Sequence, residues 1–110
     1  MKLISCLVRP GRLDVVKKEL GAINVVALTV AEARDYSPQR HDTAVWMGCE
    51  YNIGSSSKVE IRVVVHDGDV DDVIGAIMRT ARTGQSGDGY VCVTSVEHRY
   101  NISTGQRDVS

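Results

Sequence analysis

The chain has 110 residues, 43% of them hydrophobic and 25% charged. That supports one core, does not suffice for two, and is too apolar for a disordered segment. Thirteen Lys and Arg against fourteen Asp and Glu leave a formal charge of -1, so no basic excess directs the chain to nucleic acid or an acidic membrane surface.

Leu3 to Val8 is apolar at nearly every position, as in a strand buried on both faces. Pro10 and Gly11 break it, Arg9 and Pro10 come before it could serve as a signal-peptide core, and no apolar run approaches a bilayer span, so a cytoplasmic protein is expected. Leu13, Val16 and Leu20 recur at helical spacing with Asp14, Lys17, Lys18 and Glu19 between them, and Gly21 fits a helix stop. Val25 to Ala33 reads as a second strand, with Val26, Leu28 and Val30 on one face and Ala27 and Thr29 on the other.

From Asp35 to Ser57 no periodicity is sustained. Pro38, Gly48, Gly54 and successive serines mark a loop that is long for so small a domain, and loops of this length are usually functional or disordered. It holds the only Trp, Trp46, a candidate partner contact. Val59, Ile61, Val63 and Val65 then alternate with Glu60, Arg62, Val64 and His66 in the clearest strand of the chain. Asp67-Gly68-Asp69 is a turn with Asp69 as the expected N-cap. Val70, Val73, Ile74, Ile77, Met78 and Ala81 follow the helical rule. Thr83 to Gly89 is a glycine-rich loop, Tyr90 to Val96 a fourth strand, and the remainder, about 98–110, a polar and weakly specified tail.

Cys6, Cys49 and Cys92 form no CxxC pair and are odd in number, so buried free thiols are expected rather than disulfides or zinc ligands. His41, His66 and His98 show no metal spacing, and no nucleophile–base order marks a hydrolase. The order strand, helix, strand, long loop, strand, helix, strand is α+β, the ferredoxin-like βαββαβ plan, in one domain over 1–110. Its two helices cover one face of the sheet. The other face, with Ala27, Thr29, Val64 and Cys92, is only mildly polar, so an oligomer that buries it is expected.

The two loops make the sequence similar to a known family. Arg79-Thr80-Ala81, Thr83-Gly84 and Gly87-Asp88-Gly89, with Gln39, Thr43, Gly48, Glu50-Tyr51, Lys58-Val59, Thr104-Gly105, Pro10 and Leu13-Asp14 in register, resemble the PII signal-transduction family over nearly the whole chain. The resemblance implies a homotrimer with inward-facing sheets and nucleotides bound between subunits. It also implies a protruding T-loop, about 36–56 here, that grips a partner protein, with no catalysis of its own. Leu28, Thr29 and Val64 match positions lining the adenine pocket. Gly87, Asp88 and Gly89 match the phosphate loop, with Arg82 and Arg99 as possible replacement charges, and Gln39 and Lys58 match the anion site.

Two signatures depart from the family pattern. Around the modified tyrosine this chain reads Trp46-Met47-Gly48-Cys49-Glu50-Tyr51, with Met47 in place of a basic residue. Pro38, Tyr90, Asn101 and Ser103 stand where the family carries cations around the nucleotide phosphates. Charge-assisted contacts of that kind contribute roughly 1.5–3 kcal/mol each, so ATP should bind weakly. ADP or AMP is the expected ligand, with bicarbonate as the expected small anion beside Gln39 and Lys58. A transporter or enzyme of inorganic-carbon metabolism is then the expected partner through Trp46, Met47 and Tyr51. The competing readings are a conventional PII nitrogen regulator sensing ATP, ADP and 2-oxoglutarate, a small ferredoxin-like enzyme, and a metal or redox module using Cys49.

Overall fold

A nearly unbroken apolar run places β1 at Lys2–Val8, and alternating apolar residues place β5 at Ser56–Val65, in the middle of a four-stranded antiparallel sheet flanked by β2, Ala27–Asp35, and β6, Gly89–Ser95. The strand order is β2-β5-β1-β6. The helices are α1, Leu13–Leu20, and α2, Val70–Ala81. These come from a computed structural model, which describes residues 1–36, 43–46, 49–52 and 56–108, the second and third of these stretches as backbone pairing only. Each half is a split strand–helix–strand unit whose partner strand inserts between its two strands, so the ferredoxin-like plan holds.

The core lies between the sheet and the helices. Ile4, Cys6 and Val8 of β1, with Val59, Ile61, Val63 and Val65 of β5, meet Val16 and Leu20 of α1 and Val73, Ala76, Ile77 and Ala81 of α2. Period-two alternation in the strands and 3.6-residue spacing in the helices put these side chains on facing surfaces. The register runs Thr29–Arg62–Ser5–Cys92 straight across the sheet, and Ala27–Val64–Leu3–Thr94 beside it. This is the uncovered face, on which Thr29, Arg62 and Cys92 are exposed. It is more polar than expected, because Arg62 Nε also lies 3.8 Å from Glu60 Oε1.

Gly21 stops α1 as expected, in a right-handed conformation, φ -64°, with its N–H donating to the Lys17 carbonyl at 2.9 Å. Several other local expectations are corrected. Asp69 caps nothing with its side chain. It closes a 3-10 turn, Asp67–Asp69, that leads directly into α2, while Asp71 and Asp72 supply the negative charge at the helix start. Met78, expected toward the core, is 50% exposed. The long loop contains a hairpin, β3 at Thr43–Trp46 against β4 at Cys49–Asn52, whose four-residue strands are too short for alternation to register.

The tail is also better specified than its polarity suggests. Tyr100 bridges Arg107, Arg99 pairs with Asp108, and the Asn101 side-chain oxygen accepts the Ser103 and Thr104 N–H groups at 2.9 and 3.3 Å. Residues 109–110 lie outside the described residues. No described helix is long and apolar enough to cross a membrane.

The two cysteines with described side chains differ sharply. Burial in the core pushes the Cys6 thiol up to about 11, whereas Cys92 is exposed on the open face. In a Cys49→Ser background, a thiol reagent at pH 8 is expected to label Cys6 only after unfolding. Rapid labelling of both remaining thiols in the native protein would contradict the core assignment.

Candidate functional site

The loop from Thr83 to Gly89 joins the end of α2 to the edge strand β6, and it is built to hold one shape. Gly84, Gly87 and Gly89 adopt φ of 87°, 88° and 114°, values that L side chains resist. At Gly89 the constraint is also steric, since a Cβ would lie 1.7 Å from the Leu7 carbonyl oxygen across the β1–β6 ladder.

Asp88 is the clamp. Its carboxylate accepts the Thr83 hydroxyl, the Thr83 N–H at 2.8 Å, the Gly84 N–H at 3.0 Å and Arg9 Nε at 2.9 Å. The Thr83 hydroxyl bond first, then Arg9 and the backbone donors, hold this carboxyl well below the usual carboxylate range. Arg9 also donates Nη2 to the Ser86 carbonyl at 3.0 Å. Asp88 therefore shapes the loop and is already committed as an acceptor; a phosphate would meet the glycine backbone, not this side chain.

Next to the loop lies a cleft of about 250 Å³. Its walls are Leu7, Val8, Ile77, Met78, Ala81 and Val91, and its polar mouth is formed by Arg82, Asp88, Gly89 and Tyr90. An apolar slot with a few convergent polar groups at one end suits a planar ring carrying an anionic substituent. Arg82 follows the last turn of α2 and makes no ion pair with another described residue. Arg79 faces Glu19 at 3.5 Å, and Arg99 is committed to Asp108. The suggestion that Arg99 supplies replacement charge is therefore not favoured by its placement.

One copy of the chain does not bring all the expected nucleotide residues together. Arg82, Asp88, Gly89 and Tyr90 meet at the cleft beside β6, with Gly87 next to them. Thr29 and Val64 stand on the uncovered face near the opposite edge, separated from β6 by β1. Leu28 points to the other face and packs against the core, because β2 alternates between the two. This is the alternation expected of β2, with Leu28 on one face and Thr29 on the other.

Lys58 is 4% exposed, and its Nζ donates to Ser56 Oγ at 2.5 Å. It borders a second cleft of about 450 Å³ with Pro10, Glu32, Ala33, Arg34, Ser57 and Val59. Arg34 and Lys58 outnumber Glu32 there, so the wall is net cationic and suited to a small anion. Gln39 and Pro38 lie outside the described residues, as does Met47. Trp46 ends β3 and Tyr51 lies in β4 opposite Ala44, with side chains outside the described residues. No group of three or more metal-ligating side chains occurs among the described residues.

Arg9 is the site residue that sequence reasoning missed. It reads as an ordinary basic residue before Pro10, and its partner Asp88 lies 79 positions away.

A family model described as nitrogen regulatory protein P-II matches residues 1–106. Proteins named nitrogen regulatory protein P-II from Rhizobium etli and Pasteurella multocida are 37% and 38% identical over 108 residues, covering 98% of this chain and 96% of each relative. Nitrogen regulatory protein P-II 1 of Escherichia coli is 36% identical over the same span.

Proposed function

The chain belongs to the nitrogen regulatory protein P-II family, and from that premise we propose a non-enzymatic signalling protein that works as a homotrimer over its single domain, 1–110. It binds ADP or AMP in preference to ATP between subunits, with bicarbonate as a second ligand. The trimer closes by burying the uncovered sheet face. Such closure supplies one subunit's Thr29 and Val64 to the neighbour's loop at Gly87 to Tyr90, which accounts for their separation within a single copy.

One observation carries the nucleotide preference. The phosphate loop is held in shape by Asp88, yet the cations that would grip a terminal phosphate are missing around it. Tyr90 is an exposed neutral ring, Asn101 spends its side-chain oxygen on the tail turn, and Ser103 is exposed and uncharged. Among the described residues that line the cleft, Arg82 is the one cation, which suits a shorter phosphate chain better than a triphosphate. Lys58 and Gln39 form the anion site. The T-loop, 36–56, presents Trp46, Met47 and Tyr51 to a partner in inorganic-carbon metabolism, and ligand state sets its shape.

Calorimetry with ATP, ADP and AMP, each with and without bicarbonate or 2-oxoglutarate, tests this reading. ADP or AMP is expected to bind at least about tenfold tighter than Mg-ATP, the effect of one missing charged contact. Tight Mg-ATP binding strengthened by 2-oxoglutarate would overturn the preference and favour the second reading, a conventional nitrogen regulator. The names borne by the relatives speak for that reading. Light scattering of the full chain is expected to give three times the monomer mass.

A further inference from the structure

We propose that Arg9 is the positioning residue of the phosphate loop, presetting it for nucleotide. The inference rests on the reading of residues 83–89 as a phosphate loop and names a residue outside the motif that the loop requires.

The geometry is specific to a guanidinium. Arg9 follows the last residue of β1, and Gly89 pairs with Val8 at that same end of the ladder. From there its Nε reaches Asp88 Oδ1 at 2.9 Å while Nη2 reaches the Ser86 carbonyl at 3.0 Å. The two acceptors flank Gly87, whose absent Cβ would sit 3.6 Å from Nη2. One planar fork thus spans the glycine turn and fixes the residues on both sides of it, and a lysine, with a single ammonium, cannot hold both acceptors in this way. The contact is partly shielded, the Arg9 and Asp88 side chains being 34% and 21% exposed. Arg9 does not line the cleft beside Tyr90. It therefore acts through the loop, lowering the cost of ordering a three-glycine segment when phosphate arrives.

The test compares Arg9→Gln and Arg9→Lys with the wild-type trimer, using ADP and adenosine as ligands and amide hydrogen exchange of residues 83–89 in the ligand-free protein. Arg9→Gln is expected to weaken ADP about tenfold, as loss of one charge-assisted contact implies, to leave adenosine unchanged, and to speed exchange in the loop. Arg9→Lys is expected to recover part of the ADP affinity. In an Asp88→Asn background, Arg9→Gln is expected to add little, because both act through one contact. Unchanged ADP binding in Arg9→Gln overturns the proposal, and so does an equal loss of ADP and adenosine, which would mark general damage. If the wild type binds no adenine nucleotide, the proposed function fails, and the exchange rates still decide the role of Arg9: unchanged exchange in Arg9→Gln would refute it.

Discussion

Gly89→Ala is expected to destabilise the fold by about 3 kcal/mol or more, lowering the urea midpoint well below that of the wild type. Two costs act together. The residue sits at φ 114°, and an added Cβ would lie 1.7 Å from the Leu7 carbonyl oxygen and 2.7 Å from its carbon. Those atoms are backbone and cannot swing aside, so β6 must leave β1 or both strands must bend. Gly87→Ala is the control. Its φ is 88°, but the nearest neighbour is the Arg9 side chain at 3.6 Å, so only the left-handed backbone cost of about 1–2 kcal/mol applies. Equal stabilities for the two variants would contradict the described pairing of Val8 with Gly89.

Asp88→Asn is expected to leave the sheet folded, weaken ADP more than tenfold, and flatten the acid limb of the stability curve. The carboxylate holds four donors, and an amide offers only one oxygen to replace two. The pH dependence follows from the sign of the shift. The folded-state value lies below that of the unfolded chain, about 3.9. The ionised form therefore stabilises the native state fully above that pH, and the contribution fades as pH falls toward the folded value. Urea midpoints measured from pH 6 downward should fall more steeply for wild type than for Asp88→Asn. Parallel curves would show that the Thr83 and Arg9 contacts do not form in solution.

Much of this architecture was legible because it is written in local spacing. Val59, Ile61, Val63 and Val65 announce β5, and Val70, Val73, Ile77 and Ala81 announce α2, since strand and helix periods differ and each side chain's face follows from its position. The glycine loop was legible for a different reason, in that glycines clustered between a helix and a strand mark backbone that takes up positive φ, as Gly84, Gly87 and Gly89 do. The corrected points share a cause. Asp69 has the right residue type for a side-chain cap, but the 3-10 turn at Asp67–Asp69 leads into α2 by backbone bonds instead. The β3–β4 hairpin offers only four residues per strand, and the tail gains its order from Arg99 and Asp108 meeting across a turn.

The candidate site divides along the same line. By itself the sequence determined the split strand–helix–strand plan, the sheet face left uncovered, the glycine loop and the absence of cations at Tyr90, Asn101 and Ser103. Only the tertiary structure decided that Arg9 reaches Asp88 and that Thr29 and Val64 stand across the sheet from Gly89 and Tyr90. The physical reason is the range of the forces involved. Periodicity is set by bond geometry over a few residues, whereas contacts between residues 9 and 88 exist only because β1 and β6 pair at one end of the sheet, an arrangement chosen by the packing of the whole core.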